Sequence, residues 1–469
     1  MHRVTLLIKN FISVLAGNLV GQALGFITIV YLGRVLGPEG YGIINFAQSY
    51  IFYFYLATDI GLSLYITREL KRVERKEALY KEVFSIKFYL SILTSVIYTI
   101  SVACLSVPMT EKSTLWVLGT SIFFTGISVE GFFMALQKMK YIGMSTMLKN
   151  LVFCVLSFVL VKQENDVIYA TLCITMGAVV YSFYLLIKFN KLYKVKLLGL
   201  PSIKYLKTIK AALPLTFSLL MIQINNNFDI IYLSFMNDNS IVGYYSAAYK
   251  IISFLIALLV VYFNSGYGTI SELISTNKTA LDDFVSKFFK IGVSLVIPVT
   301  IGGICLAPQI MTISFGTDYS NSGKLLEVLL ILVFIRMVTS TYGAVLIMGN
   351  KSKQFSNGVT IGAVINILLN IALVPSYGAM GSAMATVLCE AIQGFYLYYY
   401  YRKDCNAKLF SSLMKPIIAS LLMAVVIISI RINVIFEIIV GAVLYIIIFA
   451  LLEYKLIKHI IHIKRGAVN

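Results

Sequence analysis

The chain has 469 residues, of which 59% are hydrophobic and 13% charged, with a net charge of +18. A soluble domain carries about 25% charged residues, and a mean hydropathy of +0.86 leaves the apolar excess of a water-soluble fold nowhere to go. Soluble enzyme, secreted disulfide scaffold, disordered tail and DNA-binding domain are therefore poor readings. No nucleic-acid partner is needed for the charge, because basic loops attract anionic lipid headgroups.

A helix needs about 20 apolar residues to cross the hydrocarbon. In chain order such runs fall at 10–33, 41–65, 83–107, 114–136, 143–162, 166–188, 211–236, 243–264, 288–308, 324–348, 355–374, 378–401, 413–430 and 433–456. The first follows Met1-His2-Arg3 and Lys9 but is too long for a signal peptide and lacks a small-x-small cleavage site, so it reads as an uncleaved span. The pattern predicts an all-α polytopic membrane protein of about 14 transmembrane helices. The longest connection, 265–287, is too short for a soluble catalytic domain.

Basic residues test the topology. With the N-terminus inside, inner segments hold 32 of the 39 lysines and arginines, outer connections 5, and Lys250 and Arg336 lie within spans. One misplaced span would invert every later loop, so the asymmetry predicts both termini on the cytoplasmic side. Of six cysteines, five fall in apolar runs and Cys405 in a basic loop, with no CxxC; the histidines His2, His459 and His462 sit in the tails. Neither a metal site, a cofactor nor a disulfide is implied.

An internal echo divides the chain. Tyr31-Leu32 ends the first span and Gly40-Tyr41-Gly42 opens the second; Tyr232-Leu233 ends the seventh and Gly243-Tyr244-Tyr245 opens the eighth. Copies about 200 residues apart, in the same inside-to-outside direction, suit two six-helix lobes. The expected organisation is an N-lobe at 1–188, a cytoplasmic linker at 189–210, a C-lobe at 211–401, and two further helices with a cytoplasmic tail at 402–469. Small residues at these helix starts would let the outer hairpins pack closely.

Three stretches carry a family resemblance. Leu32-Gly33-Arg34-Val35-Leu36-Gly37-Pro38-Glu39-Gly40-Tyr41-Gly42, with Phe46 and Thr58-Asp59-Ile60-Gly61-Leu62, resembles the opening of Wzx-type polysaccharide repeat-unit flippases of the multidrug/oligosaccharidyl-lipid/polysaccharide exporter superfamily. Gly243 to Lys250 resembles the family's eighth-helix motif, and Asn366 to Asn370 with Val374 to Thr386 its eleventh-to-twelfth junction. The resemblance implies a V-shaped bundle of two lobes and alternating access. It also implies export of an undecaprenyl-diphosphate-linked oligosaccharide, in a bacterial cytoplasmic membrane, alongside a polymerase and other surface-polysaccharide machinery. A lipid II flippase or multidrug exporter of the same superfamily is the alternative, and a membrane-embedded polymerase or ligase a remote one.

Such a cargo needs a hydrated cleft with cations for its diphosphate, because an uncompensated charge at the bilayer centre is costly, from about 3 to over 10 kcal/mol by different methods. Lys250 and Arg336 are the candidates. Asp229, on the adjacent seventh span, matches Lys250 in depth, and Glu390, on the twelfth, matches Arg336, so internal ion pairs are an equal reading. Asp59 and Glu130 suit proton or sodium coupling, or hydrogen bonding between helices. Asn18, Gln22 and Asn225 are polar groups suited to sugar hydroxyls; Asn18 and Gln22, four apart, share a helix face. Four intramembrane acids against two bases are not what a purely anion-lined cavity would show.

Overall fold

The computed structural model describes residues 2–70, 72–202, 204–430 and 433–453, with side chains at all of these except 2–20, 215 and 218. Among them the secondary structure is helical throughout: α1 (His2–Asp59), α2 (Leu62–Glu69), α3 (Lys76–Cys104), α4 (Met109–Gly126), α5 (Glu130–Ala135), α6 (Met139–Leu160), α7 (Val167–Tyr193), α8 (Lys204–Met236), α9 (Asn239–Thr276), α10 (Lys278–Phe315), α11 (Ser322–Met348), α12 (Ser352–Asp404), α13 (Met414–Ile430) and α14 (Val434–Leu452). By length and composition, ten helices among the described residues can cross a membrane. An eleventh is added if Lys204–Pro214 and Leu219–Met236, bent by 62°, form one span. That count takes α12 as one helix and leaves α1 aside.

Both of those long helices are broken. In α1 the break is Gly37 (φ 65, ψ 178), followed by Pro38. In α12 it is Gly378 (φ 53, ψ −133), shortly after Pro375. Only glycine takes such angles without strain, and each break lies in a stretch that carries the family resemblance. The arms of α12 fold back on each other. Ser382 donates to Asn370 Oδ1 at 2.8 Å, Asn366 to Cys389 Sγ at 3.7 Å, and Lys351 meets Asp404 at 2.7 Å. Gly358 and Gly362, on the same face as Asn366 and Asn370, bring the arms together: a methyl on Gly358 would meet Leu397 at 2.7 Å. Small residues at four-residue spacing are how helices approach without a hydrophobic driving force.

The chain divides into two compact units, Met1–Gly243 and Tyr244–Asn469. The first therefore includes α8, which contains the seventh predicted span and packs against α1 and α2. Its core is aromatic and aliphatic, with Leu62, Ile66, Val83, Phe132, Phe133 and Phe189 nearly inaccessible. In the second unit α10 runs unbroken through Pro298 and Pro308. Against it lie α13 and α14, with Leu306, Met423 and Ile427 buried between them. The Tyr445 hydroxyl donates to the Ser294 carbonyl at 2.7 Å, and Glu453 accepts ion pairs from Lys290 at 2.6 Å and Lys415 at 3.3 Å. The outer faces of α13 and α14 expose Val425, Ile439, Ile446 and Leu451, as surfaces bathed in lipid do.

Candidate functional site

In the first unit, α1 ends on Asp59, and the chain turns through Ile60 (φ 35) and Gly61 (φ 73) into α2. Asp59 Oδ1 accepts from Lys87 Nζ at 2.9 Å and from the Ser63 hydroxyl at 2.6 Å. Lys87 is 7% exposed and lies inside α3. Arg68 lies beside Glu69. Glu130, at the start of α5, interacts with Lys149 of α6 and the Tyr181 hydroxyl of α7. Lys149 is exposed.

Lys87 and Lys149 were counted with the inner loops on the sequence alone. In the structure Lys87 lies on α3 and Lys149 on α6, both helices of spanning length. Their signal was present in the sequence: each lysine falls inside the apolar run that defines its span.

In the second unit the structure brings together Arg336 of α11 and Glu390 of α12. Arg336 Nη2 lies 2.9 Å from Glu390 Oε2, and Glu390 Oε1 accepts from the Thr339 hydroxyl at 2.6 Å. The Glu390 side chain is 1% exposed and that of Arg336 24%. Arg336 Nε and Gln393 Oε1 are buried without a hydrogen-bond partner among the described residues. Lys250 is half-buried on α9.

The other candidates scatter. Asp229 and Asn225 are buried on α8, at 1% and 7% exposure. Gln22 is exposed, and the side chain of Asn18 lies outside the described residues, as do His2, His459 and His462. No group of acids, histidines and cysteines able to hold a metal occurs among the described residues.

The two echoed motifs meet. A methyl on Gly42 would fall 3.0 Å from Gly243 N and against the Asn239 carbonyl, and one on Gly243 would fall 2.7 Å from the Pro38 carbonyl carbon. Beside this backbone contact, Asn239 donates to Glu111 Oε1 at 2.8 Å.

A family model described as polysaccharide biosynthesis protein matches residues 7–274, more than half of the chain. The chain belongs to the polysaccharide biosynthesis protein family. Within it, the chain is 26% identical over 386 residues to a putative O-antigen transporter of Shigella dysenteriae, covering 78% of this chain and 93% of that one. It is 23% identical over 396 residues to a putative O-antigen transporter of Escherichia coli, covering 81% and 93%. Its fold is similar to that of a lipid II flippase in an inward closed conformation, with a TM-score of 0.79 at 19% identity, covering 96% of this chain and 100% of that one. These matches bear out the resemblance to Wzx-type flippases read from the motifs, and this member of the family is a multi-pass membrane protein.

Proposed function

We propose that this chain is a flippase. It carries an undecaprenyl-diphosphate-linked oligosaccharide from the cytoplasmic to the outer leaflet of a bacterial cytoplasmic membrane by alternating access. The two arms of α1, the two arms of α12 and the other spanning helices make fourteen spans, with both termini inside. Two six-helix lobes at 1–188 and 211–401, joined by the linker at 189–210, carry the cycle, and 402–469 is appended. The lipid tail stays in the bilayer while diphosphate and sugars cross a polar cleft.

The observation that carries this reading is the state of Arg336. Its side chain lies on a helix of spanning length, with Nη2 2.9 Å from the buried Glu390 carboxylate and a quarter of the side chain accessible. An arginine has five N–H donors and binds phosphate oxygens two at a time, so donors remain for a diphosphate. Lys250 supplies a second cation. Asn18, Gln22 and Asn225 are the groups assigned to the sugars. Glu130 with Lys149, and Asp59 with Lys87, are the pairs through which a proton or sodium gradient would act; Asp229 is a further buried acid.

Deleting the gene tests the reading. Lipid-linked repeat units should accumulate on the inner leaflet and surface polysaccharide should be lost while cells continue to divide. Arrest of growth with unchanged polysaccharide would point to lipid II as cargo, and sensitivity to organic cations alone to a drug exporter.

A further inference from the structure

The first unit carries an apolar crevice of about 410 Å³ between α3 and the segment that leads into α8. Ile86, Leu90 and Leu93 form one wall, and Pro201, Leu206 and Ile209 the other. Hydrogen bonds hold the crevice in shape. Gly199 N donates to Ser85 Oγ at 2.8 Å, and the Tyr89 hydroxyl donates to the Gly199 carbonyl at 2.9 Å. The Tyr205 hydroxyl donates to the Leu200 carbonyl at 2.9 Å, and Thr208 to Glu82 at 2.5 Å.

Two further features surround it. Leu198, Leu200 and Leu206 are 50%, 85% and 56% exposed, an arrangement stable against lipid and costly in water. Lys204, Lys207 and Lys210 lie near Leu206 in the chain, and Lys81 Cε would lie 2.8 Å from a methyl on Gly199; all four are exposed. None of the four belongs to an ion pair among the described residues. The acid in the same stretch, Glu82, is engaged by Thr208. Leucines between unpaired lysines at the end of a spanning helix are the chemistry of a surface that meets anionic headgroups.

We propose that the crevice binds one acyl chain of an anionic phospholipid, whose phosphate rests among Lys81, Lys204 and Lys207. The apolar walls suit an acyl chain and the basic surroundings an anionic headgroup. The bound lipid ties the entry of α8 to α3.

The test uses the full-length protein in phosphatidylcholine vesicles, with a trace of phosphatidylglycerol bearing a photoactivatable acyl chain, followed by peptide mapping. Label is expected in the peptides spanning 81–93 and 198–209, and well above that from photoactivatable phosphatidylcholine. K204Q and K207Q should each lower it about fivefold, the factor for one basic residue at an anionic surface. L90W should fill the crevice and remove it. Equal labelling by the two lipids of the unaltered protein, label elsewhere, or label unchanged in the lysine variants would overturn the proposal. Displacement by polyprenyl diphosphate and not by unlabelled phosphatidylglycerol would overturn it as well, by showing that the tail of the cargo is the occupant.

Discussion

Arg336 and Glu390 pair across α11 and α12, Nη2 to Oε2 at 2.9 Å, with the carboxylate almost wholly buried. Removing one member of a buried pair leaves the other charge without compensation, at a cost of about 3–5 kcal/mol. Arg336→Ala alone is therefore expected to lower the amount of protein in the membrane. Arg336→Ala with Glu390→Gln should restore it, because neither charge is left behind. If the guanidinium also serves the cargo, the double variant accumulates normally and yields no surface polysaccharide. Immunoblotting of membranes beside a polysaccharide stain separates the two roles, and a double variant with normal polymer would confine Arg336 to packing.

Asp59 and Lys87 give a second pair, at the turn between α1 and α2. Asp59→Asn leaves Lys87, 7% exposed, without its carboxylate. A loss of about 3 kcal/mol is expected, read as a lower thermal unfolding midpoint in detergent. Lys87→Met added to Asp59→Asn should recover most of it; no recovery would mean that Asp59 acts mainly through Ser63.

How much of this was legible in the sequence varies with the kind of residue. Apolar runs of spanning length and the bias of lysines mark a many-helix membrane protein, because hydrocarbon allows few alternatives. Glycine at 37, just before Pro38, and at 378, three residues after Pro375, announces the breaks in α1 and α12. Partners were harder. Hydropathy places Asp59 near the membrane boundary but does not tell which neighbouring helix turns a lysine toward it, and Lys87, one turn inside its run, reads as part of a basic loop. The matching depths of Arg336 and Glu390 did suggest a pair, since packed spans bring equal depths together. The second acid-base group, Glu130 with Lys149 and Tyr181, needs three helices and was invisible from spacing.

Gly42 and Gly243 approach through their backbones, with no room for a side chain at either. Gly243→Val should cost about 1–3 kcal/mol through overpacking. Gly268, with nothing within 4 Å of an added methyl, is the control: Gly268→Ala should leave the unfolding midpoint unchanged or raise it. Equal midpoints for Gly243→Val and the unaltered protein would show that the contact is not kept in the membrane.

Acid should loosen the attachment of α14. Burial raises the pKa of Glu453, but hydrogen bonds and charge from Lys290 and Lys415 outweigh it and hold the carboxyl below its ordinary 4.5. A group with a depressed folded pKa contributes stability above its unfolded value and loses it as pH falls through the folded one. The contribution is thus complete at neutral pH and fades below about 4.5. Hydrogen exchange in α14 should rise in that range for the unaltered protein, and Glu453→Gln should show the raised exchange already at pH 7. Exchange that is equal in the two proteins at pH 7 would remove the pair from the attachment.

The most direct measurement of the central claim is transport by the purified protein. Reconstituted into vesicles, it should render the lipid-linked oligosaccharide of its own cell, placed on one leaflet, accessible to a glycan-cleaving enzyme on the other. Arg336→Ala with Glu390→Gln, folded and inserted, should not. Vesicles in which the cargo stays on its original leaflet, while a lipid II flippase moves lipid II under the same conditions, would contradict the account.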